Sequence, residues 1–222
     1  MDAPTPTPTP IPVDLDTWPR RRHFAHYRRR VPCTYAMTVE VDVTTFAAEL
    51  RRSPRKSYLA QVWALATVVN RHDEFRMCLT ASGDPAVWPV VHPAFTVFNP
   101  RRETFACVWA PYDPDFGTFH DTAAPLLAEH SRATDFFPQG DPPPTPSTCR
   151  ASRGPPSPAS PSTSATAGTT SPPSSPSAAT PDATPASCSP LSVQIHHAAA
   201  DGFHTARLTG ELQTLLATPT WL

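Results

Sequence analysis

Leu191-Ser192-Val193-Gln194-Ile195-His196-His197-Ala198-Ala199-Ala200-Asp201-Gly202 is the stretch that decides the reading of this chain. Leu191, Val193 and Ile195 alternate with polar residues, the period of a half-buried strand. Downstream, Phe203, Ala206, Leu208, Leu212, Leu215 and Leu216 fall near one face of a helix running from about Phe203 to Leu216. The His-His-x-x-x-Asp-Gly run therefore lies where a strand hands over to a helix, and loops held by rigid elements are where chemistry is displayed. Gly202 is expected to supply a backbone conformation closed to other residues at that bend.

The fifty residues just upstream, Asp141 to Pro190, contain no Val, Ile, Leu, Met, Phe, Trp or Tyr. Such a segment has nothing to bury against the roughly 1 to 2 kcal/mol of backbone entropy that each ordered residue costs. It is expected to be disordered in the chain as it stands. A Pro/Ser/Thr linker is the reading that composition alone favours, yet a linker separates domains, and this one would interrupt a single domain just before its candidate catalytic strand.

Composition narrows the function. A formal net charge of -1 over 222 residues leaves no electrostatic footprint for nucleic acid or an anionic membrane. No apolar run approaches the ~20 residues needed to span a bilayer, and residues 1–13 read as a disordered Pro/Thr leader rather than a signal sequence. A cytoplasmic protein is expected. The five cysteines form no C-x-x-C pair, so neither a disulfide framework nor a metal site is indicated. Lys56 is the only lysine among 18 basic residues and 31 residues are proline, a bias that marks a GC-rich gene.

Upstream, Thr34 to Val43 alternates as a strand, Asp42 to Arg52 carries a helix start, and Tyr58 to Val69 is apolar nearly all round, as suits a buried helix. Ala86 to Val91, Ala94 to Asn99 and Glu103 to Trp109 read as short strands, and Thr118 to His130 as a helix. The irregular interleaving predicts an α/β fold, a two-layer sandwich around a mixed sheet, over a single domain from 14 to 222.

An ordered set of landmarks accompanies the opening motif: Trp18-Pro19-Arg20-Arg21 with His23-Phe24, Pro32-Cys33-Thr34-Tyr35, Asp73-Glu74-Phe75-Arg76-Met77, Phe95-Thr96-Val97-Phe98, Glu103-Thr104-Phe105, and Phe137-Pro138-Gln139-Gly140. Together they resemble the chloramphenicol acetyltransferase family over Asp14 to Gly140 and Leu191 to Leu216. The resemblance implies a coenzyme A-dependent acyltransferase fold and transfer of acetyl from acetyl-CoA, a co-substrate rather than a bound cofactor, to the primary hydroxyl of chloramphenicol. Antibiotic resistance and a homotrimer with its active site between subunits are implied with it.

Residue roles follow from the same resemblance. His197 is the general base, a task suited to imidazole, which titrates near pH ~6.5 in general; His196 is a packed structural histidine. Asp201 supports the site by pairing with Arg20. Phe24, Tyr27, Cys33, Phe105 and Phe137 match the acceptor pocket, and Tyr58 is the position expected to approach the coenzyme. Arg28 to Arg30 read as a solvated face.

Between Gly140 and Leu191 the family carries core strands with a Ser-x-x-Pro-Trp motif, whose serine is its oxyanion donor, over about the same length. Equal length with alien composition points to a frameshift, and the genetic code permits a check. Codons read from the third base of one residue into the first two of the next allow Ser at Cys149/Arg150, Gly or Ser at Arg150/Ala151, Leu at Ala151/Ser152, Pro at Ser152/Arg153 and Trp at Arg153/Gly154. Later overlaps, Thr170/Ser171 to Pro172/Pro173, allow Phe-Ala-Pro. Two other functions compete: a catalytically impaired remnant of the family, and a different coenzyme A acyltransferase sharing His-His-x-x-x-Asp-Gly. A dihydrolipoyl type would carry a lipoyl module upstream, where only the Pro/Thr leader stands.

Overall fold

A computed structural model of the chain describes residues 9–140, 148–149, 164–167 and 187–222. Its strands are β1 (Ile11–Pro12), β2 (Thr34–Asp42), β3 (Met77–Leu79), β4 (Pro85–Val87), β5 (Ala94–Asn99), β6 (Thr104–Trp109), β7 (Thr148–Cys149), β8 (Ser164–Ala167) and β9 (Cys188–His196). Its helices are α1 (Arg21–Ala25), α2 (Thr44–Leu50), α3 (Ser57–Asn70), α4 (Phe116–Glu129) and α5 (Gly202–Ala217).

The alternating segments become the centre of the fold. β2 and β9 pair antiparallel along nine residues, with Tyr35 opposite Ile195 and Val39 opposite Leu191. One face of this ladder turns Val41, Leu191, Val193 and Ile195 into the core, while Thr34, Ala36, Thr38 and Glu40 stay exposed on the other. The order β2-β9-β8-β7, with β7 parallel to β8, makes the sheet mixed. α3 and α5 pack on the apolar face: α3 buries ten of its residues, and α5 buries Thr205, Leu208, Leu212 and Leu216 along one stripe. Trp63 on α3, Phe116 at the start of α4 and Trp221 close the far end as an aromatic cluster. β5 and β6 form a hairpin in which Phe95, Val97, Ala106 and Val108 face inward, and Phe98 and Phe105, directly opposite each other, face out.

Near the start of β9, residues of β2, α2, α3, α5 and β9 line an open pocket of about 380 Å³. Its walls are mainly apolar, with Val41, Phe46, Leu50, Leu65, Leu212 and Leu216 among them, and Ser189 and Pro190 complete the side where the chain enters β9.

Several expectations need correction. The leader does not end at residue 13: Ile11 and Pro12 pair with Val87 and Ala86, and Val13 N–H donates to Pro85 O at 3.0 Å. Residues 1–8 lie outside the described residues. The strand expected over Ala86 to Val91 is Pro85–Val87, because Pro89 cannot donate to a ladder. Within the anomalous stretch, β7 and β8 add to the sheet and β9 starts at Cys188, three residues before the apolar alternation. Backbone pairing needs no apolar side chain, so Thr-Cys and Ser-Ala-Thr-Ala suffice for β7 and β8. The rest of 141–186 lies outside the described residues. Gly202 is simply the first residue of α5, its φ outside the left-handed region, with open space where a Cβ would stand.

Candidate active site

The backbone fixes the placement of His197. β9 ends at His196, and the next residue's N–H donates to the carbonyl of Cys33 at 2.9 Å, just before β2 begins. Ala199 N–H then donates back to His196 O at 3.0 Å, so the chain folds through a tight turn before α5. Within it Ala198 and Ala200 are buried, and small side chains are what such a turn accommodates. The same turn brings the carbonyl of Ala200 to 3.2 Å from Nδ1 of His197. A carbonyl only accepts, so Nδ1 holds the proton and Nε2 carries the lone pair. That tautomer is the one a general base needs, with its basic nitrogen directed away from the backbone that orients it.

Aromatic rings hold the imidazole plane. Tyr27, in the π-helical turn His26–Arg30, stacks on His197 with centroids 4.0 Å apart and planes 6° off parallel. Tyr35 approaches at 5.2 Å with a 59° tilt, and its hydroxyl is 2.6 Å from that of buried Thr205. Burial, ahead of the neighbouring charge of Asp201, pushes the Tyr35 phenol up. His196, by contrast, accepts the Ala198 N–H on Nδ1 at 3.1 Å. Burial, then the Arg28 and His197 charges, push its pKa down, so it stays neutral as a packed structural histidine would.

Asp201 caps α5, accepting the Phe203 N–H at 3.1 Å. Its other oxygen receives Nη1 of Arg20 at 2.6 Å, across 181 residues of sequence. His204 adds a third contact: its Nδ1 lies 2.7 Å from Asp201 Oδ1 and 3.2 Å from the Asp201 amide. Facing a carboxylate that closely, Nδ1 carries the proton and donates to Oδ1. Burial works to raise the Asp201 pKa, but the Arg20 and His204 hydrogen bonds outweigh it and bring it down to about 2. Arg20 leans on this pair, since no acceptor among the described residues reaches its buried Nε or Nη2.

The sequence profile of the chloramphenicol acetyltransferase family matches residues 11–148. The chain belongs to the chloramphenicol acetyltransferase family. It is 72% identical over 222 residues to a chloramphenicol acetyltransferase of Streptomyces acrimycini, the alignment covering all of both chains. It is 34% identical over 201 residues to chloramphenicol acetyltransferase 3 of Escherichia coli, covering 90% of this chain and 94% of that one. A solved chloramphenicol acetyltransferase structure superposes with a TM-score of 0.72 at 17% identity, covering 94% of this chain and all of the other. The dihydrolipoamide acetyltransferase of Azotobacter vinelandii shares the fold at a TM-score of 0.61 and 18% identity, covering 89% and 86%.

The positions matched to the chloramphenicol acetyltransferase acceptor pocket separate into two groups. Tyr27 and Cys33 touch His197, through its ring and its backbone N–H respectively, and Phe24 packs its ring on Trp18 at 5.5 Å. Phe105 and Phe137 instead belong to an aromatic cluster with Phe136 beside the β5–β6 hairpin. Phe105 is 46% and Phe137 38% exposed, and no ring contact ties either to His197. Tyr58 is buried at the start of α3, where its hydroxyl donates to Thr96 O and accepts Thr96 N–H, each at 3.1 Å. Sequence reading missed Tyr35, Thr205 and His204 as partners of the site. The Asp201-x-x-His204 spacing, which places a side chain at the third helical position facing the cap, was the available signal.

Proposed function

We propose that the chain moves the acetyl group of acetyl-CoA to the primary hydroxyl of chloramphenicol, inactivating the antibiotic, with His197 as general base. The observation that carries the reading is the Ala200 carbonyl on Nδ1, which makes Nε2 the basic nitrogen of the neutral ring within a chloramphenicol acetyltransferase framework. Nε2 takes the hydroxyl proton as the oxygen attacks the thioester carbonyl. The C–O bond forms, the tetrahedral oxyanion collapses, and the C–S bond breaks; the imidazolium returns its proton to the coenzyme A thiolate. Imidazole ends as it began, and no acyl-enzyme is needed. Asp201 and Arg20 hold the turn rather than move protons. The remnant reading has no observation in its favour.

The split between the His197 group and the Phe105/Phe137 cluster supports a homotrimer in which one protomer's His197 faces the aromatic surface of the next. Exposed aromatic side chains need such cover. No helix of the described residues is long and apolar enough to cross a membrane, and a cytoplasmic enzyme is our reading. Purified protein given acetyl-CoA and chloramphenicol should release coenzyme A thiol and form the acetyl ester, and His197→Ala should slow both at least about 10²-fold. Thiol release without dependence on chloramphenicol would defeat the proposal.

A further inference from the structure

We infer that codons from about 141 to 190 are read here out of their original frame, and that the apolar side chains of the original frame fill the pocket at the start of β9. Protein interiors are packed to crystal-like density, and an open pocket of about 380 Å³ with mainly apolar walls is a surface suited to apolar side chains. Ser189 and Pro190 line that space, so it opens where the chain emerges from the anomalous stretch. Of its walls, Val41, Phe46, Leu65 and Leu212 belong to the buried core, and Leu50 is half-buried at its edge. The neighbouring chain from Asp141 to Pro190 offers no Val, Ile, Leu, Met, Phe, Trp or Tyr.

The stretch substitutes for family sequence rather than adding to it. The relatives of Streptomyces acrimycini and Escherichia coli align over 90% or more of both chains, so the stretch stands where they carry chain of similar length. Identity of 72% leaves about 62 differing positions, enough to include a fifty-residue foreign stretch. The family profile, moreover, matches residues 11–148 and so ends inside the stretch.

The code supplies the missing side chains. The stretch holds twelve serines, and a TCN serine codon read one base early gives NTC, which encodes only Phe, Leu, Ile or Val. Overlapping codons from Cys149 to Gly154 allow Ser-Gly-Leu-Pro-Trp, immediately where the family profile breaks off. One frame change before this point and a compensating one before Leu191 preserve both length and the catalytic strand.

Peptide mapping of the protein purified from its native host tests the frame independently of activity. Denatured and digested with chymotrypsin, the chain as it stands gives one uninterrupted peptide from Phe137 to Leu191, because no aromatic or leucine cleavage site lies between them. We expect that peptide to be absent, replaced by shorter ones that include Ser-x-Leu-Pro-Trp. Recovery of the intact 137–191 peptide would overturn the inference, and so would a gene whose alternative frame lacks that motif. Recombinant chains in both frames test the pocket. Leu50→Ala should lower the melting temperature of the frame-restored chain at least about twice as much as that of the chain as it stands, where the leucine is only half-buried. Equal losses would refute the pocket assignment. Should the chain as it stands fail to fold, dye binding decides: an apolar dye that lights up on the frame-restored chain as strongly as on the unfolded protein would refute it too.

Discussion

Asp201→Asn isolates the charge of one carboxylate from its other duties. Asparagine caps helices about as well as aspartate, so the Phe203 N–H keeps its acceptor while the ion pair with Arg20 is lost. The size follows from linkage. Asp201 ordinarily titrates at 3.8 and here at about 2, and at about 1.4 kcal/mol per pH unit the gap sets an upper bound on the order of 2 kcal/mol at pH 7, which solvent screening of a side chain 32% exposed reduces. The sign is that of a depressed carboxylate: the contribution is complete above the ordinary range and is lost as pH falls from about 4 toward 2. For a domain of this size that upper bound corresponds to roughly 4–8 °C in melting temperature. Parent and variant should be compared at equal protomer concentration, because assembly shifts apparent stability. The gap between their melting temperatures should hold from pH 7 to about 5 and narrow to about half by pH 3. An Asn variant melting within a degree of its parent at pH 7 would show that the Arg20 pair contributes nothing, and the reasoning would fail.

His197→Ala should cost at least about 10² to 10⁴ in turnover, as loss of a general base does, with the circular dichroism spectrum unchanged. Tyr27→Leu removes the stacked ring and should lower kcat more than it raises KM for acetyl-CoA, whereas Tyr27→Phe keeps the stack and should come close to the parent in kcat. Asp115→Ala deletes the side chain that accepts the Thr118 N–H at 2.8 Å at the head of α4 and should lower the urea midpoint without changing the slope of the transition. Phe105→Ala or Phe137→Ala should raise KM for chloramphenicol without moving that for acetyl-CoA, and mixing either variant with His197→Ala protein should yield hybrid oligomers whose activity reports pairing across protomers.

Periodic segments were legible because their side-chain period matches their environment. β2, β9, α3 and α5 all bury an apolar face or stripe, and each lies within a few residues of where alternation or helical spacing puts it. The Arg-rich segment from Arg21 to Arg30 was not legible, since no apolar period runs through it. What places it is long-range: the Trp18–Phe24 contact and the stack of Tyr27 on His197. β1 escaped for a similar reason, two residues being too short to alternate. At the site, the pairing of Arg20 with Asp201 came from family resemblance, because nothing local to either residue foretells a partner 181 positions away. The separation of Phe105 and Phe137 from His197 was likewise beyond a single chain's sequence.

The pairing of β2 with β9 joins residues 34–42 to 188–196, and that sequence separation carries a kinetic consequence. Loop-closure entropy must be met before these strands can reward each other, which makes such contacts late and slow to form. His197 is tethered to the end of this ladder through Cys33 O, so the base takes its place only once the ladder has closed. During refolding from urea, catalysis should return no sooner than the last tertiary signal, with no early, partly active species ahead of it.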